Sequence, residues 1–94
     1  MSKMTREECY EKFLEKNGLE FEMQLAVEEM SELMQVLCKY IRKNGKVPRE
    51  NIMGELADVL NTVEPLANYF GRDEVEKIRD GKLKRGMGRL EIDP

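Results

Sequence analysis

The sequence predicts an all-α protein, an antiparallel bundle of about four helices completed by oligomerisation. Three observations predict it. Apolar residues recur at intervals of three and four, the period of a helix face. Glycine and asparagine gather at a few places that read as helix ends. Nowhere do apolar and polar residues alternate beside turn residues as strands require. The 94 residues bound a single domain, 1–94, and a chain this short buries a thin core, so association between copies is expected.

The first helix has a capping box at Thr5-Arg6-Glu7-Glu8, with Thr5 as N-cap and Glu8 reaching back. Cys9, Tyr10, Phe13 and Leu14 give its apolar face, and Asn17-Gly18 stops it. A long second pattern covers about 20–43, with Lys39, Arg42 and Lys43 in its last turns and Asn44-Gly45 after them. Cations there suit the helix dipole, and Asn-Gly suits a left-handed cap. After the linker 45–48, a third helix begins between Pro48 and Asn51 and runs to Phe70-Gly71. Pro65 inside it lacks an N–H and crowds the preceding turn, which predicts a kink near Asn61. Asp73-xx-Glu76 predicts the cap of a short fourth helix, weakened by Gly81, with a flexible basic tail over 82–94.

Composition excludes several functions. Charged residues are 37% and hydrophobic ones 40% of the chain, a balance that suits amphipathic helices better than disorder. Net charge is −3, so no nucleic-acid polymer is expected as partner. There is no histidine, which removes the usual imidazole base and zinc ligand and leaves carboxylates, Lys, Tyr, Cys, hydroxyls or an oxygen-held metal. Cys9 and Cys38 stand apart and read as buried, reduced thiols. The polar start over 1–6 predicts no signal peptide, and no apolar run reaches membrane length. A cytoplasmic protein without a membrane partner is expected.

Two helices carry acids in related places. On helix two, Met23, Val27, Met30, Met34, Leu37 and Ile41 form a regular series that reads as a packing stripe. Leu25, Glu29, Glu32 and Val36 repeat the spacing on another face, within a sector of roughly 60° at 100° per residue. On helix three, Ile52, Glu55, Val59, Thr62 and Leu66 form the core-facing stripe, and Asp58 borders it. A short linker favours antiparallel packing, which would bring Glu29, Glu32, Glu55 and Asp58 together. Four like charges in a partly dry site oppose folding, and a hard divalent cation relieves them. An all-oxygen donor set suits Mg²⁺, with Mn²⁺ as substitute, and magnesium commonly bridges to phosphate oxygens. Acids three apart are also common on solvated faces paired with lysines, so spacing leaves both readings open. Glu28 points elsewhere and reads as a surface or supporting acid.

Glu28-Glu29-xx-Glu32 followed by Glu55-xx-Asp58 resembles the EExxE…ExxD signature of the MazG-like, all-alpha NTP pyrophosphohydrolase superfamily. The resemblance covers roughly residues 20–90. It implies a helical bundle, a homodimer or homotetramer, that cleaves a nucleoside triphosphate to monophosphate and pyrophosphate in nucleotide-pool housekeeping. It implies that Glu29, Glu32, Glu55 and Asp58 are the catalytic and metal residues, holding magnesium that neutralises the triphosphate and acidifies a water, with one acid left to orient or deprotonate that water. A basic segment after the ExxD helix is frequent in the family, and here Lys82, Arg85 and Arg89 are the candidates for phosphate contacts. Seven Lys/Arg against four Asp/Glu between positions 72 and 89 make this stretch cationic within an acidic protein. Asn61, one turn after Asp58, is a further candidate substrate contact, with a role at the Pro65 kink as the alternative.

Gly86, where asparagine is common, and Pro65 depart from the family pattern. Tyr40, Tyr69 and Phe70 read as helix-end packing rather than base stacking. Phosphoribosyl-ATP pyrophosphohydrolases of the same superfamily would share the four acids, and nothing in the residues favours that narrower substrate. A reading of another class is a non-catalytic helical module whose acidic faces bind a partner or a structural cation.

Overall fold

The computed structural model describes residues 3–92, the last two of them by backbone alone. Its elements are α1 (Arg6–Asn17), α2 (Leu19–Arg42) and α3 (Arg49–Ile92), and no strand occurs among the described residues. The all-α expectation holds.

Local chemistry sets the helix boundaries. Thr5 Oγ1 accepts from the Glu8 amide at 3.1 Å and the Thr5 amide donates to Glu8 Oε1 at 2.8 Å, completing the capping box. Those bonds, the backbone one foremost, hold the Glu8 carboxyl below its ordinary pKa. Gly18 both ends α1 and starts α2, with φ 87° and its N–H donating to the Leu14 carbonyl at 2.8 Å. After α2, Asn44 and Gly45 take φ 53° and 83°, and the Gly45 amide donates to the Tyr40 carbonyl at 2.8 Å. Tyr40 lies over that turn: a Cβ on Gly45 would come within 3.3 Å of its ring. The connection 43–48 then turns the chain back along α2, with Val47 buried beneath it.

α3 breaks at Gly71, whose φ of 127° and ψ of 89° are non-helical. The break separates a proximal arm, 49–70, from a distal arm, 72–92. Pro65 does not make it. Gly71 alone has non-helical dihedrals inside α3, so the helix is not broken near Asn61, where Pro65 predicts a kink. Pro65 is buried, and α3 runs through it with helical dihedrals on either side.

The distal arm corrects a second expectation, because it continues as helix through Gly81, Gly86 and Gly88 to Ile92. Each glycine costs about 1 kcal/mol relative to alanine, and the intervening Lys, Leu, Arg and Met residues favour the helix. Positions 93–94 of the expected tail lie outside the described residues.

The core is thin. Among the described residues, the buried apolar side chains are Tyr10, Ala26, Val47 and Pro65. The radius of gyration is 16.8 Å, against about 13 Å for a compact domain of ~100 residues. The face of α2 turned inward carries Glu22, Leu25, Ala26, Glu29, Leu33 and Val36. The methionine-rich series therefore does not form this chain's core: Val27 is 63%, Met34 65% and Ile41 74% exposed. Both series share one helical period, and they differ by about 100° around the axis, which periodicity alone does not resolve. On α3 the stripe Ile52, Glu55, Val59, Thr62 and Leu66 is buried or half-buried, as expected. Cys9 is half-buried and Cys38 exposed, both free, so Cys38 departs from the expectation of a buried thiol. No described helix is long and apolar enough to cross a membrane.

Candidate functional site

The α2–α3 hairpin brings Glu29 and Glu32 of α2 against Glu55 of α3. One carboxylate oxygen from each lies within 4.8 Å of the others. Glu29 and Glu55 are half-buried and Glu32 is exposed. Helical spacing explains the pairing on α2, since i and i+3 lie on neighbouring parts of one face. Asp58 stands outside this mutual reach and is exposed, yet its charge acts on Glu29.

The electrostatics are those of a site short of positive charge. Oε2 of Glu29 and Oε2 of Glu55 are both buried and without a hydrogen-bond partner. The Glu29 carboxyl is pushed above its ordinary pKa by desolvation first, then by the charges of Glu32 and Asp58, a hydrogen bond with Glu32, and the charge of Glu55. Buried acceptor atoms with neither solvent nor donor are costly.

A hard divalent cation fits this donor set. An ion bonded to oxygens at about 2.1 Å spans about 4.2 Å between opposite ligands, so small side-chain rotations would close the observed separations. Glu29, Glu32 and Glu55 are the residues able to hold it, with Asp58 at the rim.

Nothing among family models, curated proteins or solved structures matches the chain. The functional reading therefore rests on these residues.

The other sequence candidates are placed differently. Asn61 is engaged on its amide oxygen by the Tyr10 hydroxyl of α1 at 3.0 Å, which gives it a part in helix packing. Lys82, Arg85 and Arg89 all stand exposed on the distal arm, and none of them lines the groove that contains Glu32 and Glu55. Tyr69 and Phe70 pack edge to face, with centroids 5.1 Å apart, just before the Gly71 break, in keeping with helix-end packing.

Two features escaped the sequence reading. Glu22 is buried, at 5% exposure, on the same face as Glu29 and seven residues before it; that spacing is the signal that was present. Tyr10 was counted as an apolar position and instead anchors a polar chain. Its hydroxyl lies 3.0 Å from Glu64 Oε1, Glu64 Oε2 lies 3.7 Å from Arg72, and Arg72 lies 3.6 Å from Glu76. This chain spans the break at Gly71.

Proposed function

We propose that this chain is a magnesium-dependent nucleotide pyrophosphohydrolase, cleaving a nucleoside or deoxynucleoside triphosphate to the monophosphate and pyrophosphate. The observation that carries the reading is that Glu29 and Glu55 each keep a buried, unpartnered oxygen while their carboxylates converge from two helices to within 4.8 Å. Such an arrangement is unfavourable until a cation completes it. Bound there, magnesium would neutralise polyphosphate charge and acidify a water. Glu29, Glu32 and Glu55 would hold the ion, and Asp58, exposed beside them, would orient or deprotonate the water. The resemblance to the MazG-like superfamily supports the choice of reaction.

The reading includes a homodimer or homotetramer. Among the described residues, exposed apolar side chains along α2 and the distal arm, among them Val27, Met34, Ile41, Leu83, Met87 and Leu90, outnumber the buried ones, and exposed apolar helix faces favour association. Lys82, Arg85 and Arg89 would serve substrate from a neighbouring copy, and Asn61 through the amide nitrogen that Tyr10 leaves free. The same exposed faces favour the second reading, a non-catalytic helical interaction module with a structural cation.

Product analysis separates the two. Pyrophosphate release is expected from at least one member of a complete panel of NTPs and dNTPs with magnesium, and Glu32→Gln or Glu55→Gln should abolish it. No release from any member of the panel, with no effect of either substitution, retires the enzyme.

A further inference from the structure

An open groove runs along α2 from the acids toward that helix's C-terminus. Glu32 and Glu55 line one end, Lys39 and Arg42 the other, and Gln35 and Val36 lie between. Its volume of about 790 Å³ falls within the range of small-molecule sites. Glu32, Gln35, Lys39 and Arg42 share a sector of about 80° at 100° per residue. At 1.5 Å rise per residue, Lys39 follows Glu32 by about 10 Å along the axis and Arg42 by about 15 Å.

Both cations are exposed, and neither takes part in an ion pair among the described residues. Basic residues at a helix C-terminus are favoured by the dipole wherever they point. Lys43 meets that preference without lining the groove, whereas Lys39 and Arg42 line it together with the acids.

We propose that Lys39 and Arg42 are the phosphate-binding cations of this site, gripping a linear polyphosphate whose other end lies at Glu29, Glu32 and Glu55. The inference rests on the pyrophosphohydrolase reading and deepens it. The groove has two cationic poles once a divalent ion is in place, so it selects a ligand with several negative charges along its length. Arg42 offers a planar fork and Lys39 a point charge. Both belong to the helix that carries Glu29 and Glu32, so their distance from the acids is fixed without a second copy.

The test is calorimetric titration of the full chain with inorganic pyrophosphate in the presence of magnesium. Lys39→Met and Arg42→Met remove charge and keep an apolar stem; Lys12→Met and Lys16→Met, at exposed positions of α1, are comparators. Each groove substitution should weaken pyrophosphate binding about tenfold or more. The comparators should stay close to wild type, and the rise in melting temperature with magnesium alone should persist in all four. Groove variants that bind as wild type does, or a wild type that responds to magnesium and ignores pyrophosphate, overturn this inference and leave the metal site standing. Loss of the magnesium-only response in the groove variants also overturns it, because the cations would then serve the fold. A wild type that responds to neither probe overturns both the inference and the reading beneath it.

Discussion

Tyr10 of α1 donates its hydroxyl proton toward Glu64 of α3 across 3.0 Å, with the ring only 3% exposed. The single proton is shared with Asn61 Oδ1, also at 3.0 Å. Burial, then the bond to Glu64 and its charge, raise the phenol's pKa above the ordinary tyrosine value. Tyr10 therefore remains a donor, and through Glu64 and Arg72 it ties α1 to both sides of the Gly71 break.

Tyr10→Phe should cost about 1–2 kcal/mol, because two polar acceptors lose their donor while the ring stays packed. For a chain this size that lowers the melting temperature by roughly 4–8 °C per kcal/mol. A raised acid pKa means stability that is complete below the unfolded value and lost as pH rises through the folded one. The wild-type advantage over Tyr10→Phe should thus be full at neutral pH and vanish in strong alkali. Equal denaturation midpoints at neutral pH would show that the hydroxyl does not secure α1.

Gly71→Ala should destabilise the chain by about 1–3 kcal/mol, the usual cost of a side chain in a disfavoured backbone region. An added Cβ meets Glu74 Oε2 at 2.6 Å, and φ is 127°. Glu74→Ala in the same chain removes the clash and leaves the dihedral strain, so most of the loss should remain in the double variant. Full recovery of the melting temperature would assign the cost to the clash instead.

How far these features were legible depends on the kind of signal. Thr5, Gly18, Asn44 and Gly45 act through a turn of chain or less, and their capping roles were readable from local sequence. The convergence of Glu29, Glu32 and Glu55 was readable because spacing and a short linker suffice to bring them together. Which stripe of α2 faces α3 was not, since the methionine series and the Glu29 series have the same period and differ only in what lies opposite. Pro65 drew the kink toward Asn61 because proline is a strong local marker, whereas the break at Gly71 is stapled by Arg72, Asn68 and Glu64 acting together. Tyr10 was read as apolar because its partners lie more than fifty positions away.

The acid cluster predicts opposite effects of Glu29→Gln with and without metal. Glu29 carries a raised pKa, facing Glu32 and Asp58 as well as Glu55. In chelator, its shift favours the fold at pH below the ordinary glutamate value, and that contribution is lost as pH rises through the raised one. Glu29→Gln should therefore melt higher than wild type at pH 7, and the difference should close as pH falls into the carboxylate range, where the wild-type side chain is itself neutral. With magnesium at a hundred times its dissociation constant, wild type should gain about 2.7 kcal/mol by mass action, and Glu29→Gln little of it. Melting curves that show no crossover between chelator and metal would remove the cation site.

Val27→Glu and Met34→Glu test the outward face of α2. These side chains are 63% and 65% exposed in the single chain, on a series spaced by four and three that suits helix-to-helix packing. If that face joins two copies, a buried carboxylate in it opposes association strongly, because an unpaired charge loses its hydration. Sedimentation should find wild type as a dimer or tetramer and each variant shifted toward monomer. Each variant should then also melt lower, since so thin a core would gain stability from association. A monomeric wild type, or variants that sediment unchanged, would mean that this face is not the interface, and the exposed stripe of the distal arm, Leu83, Met87 and Leu90, would be the next surface to substitute.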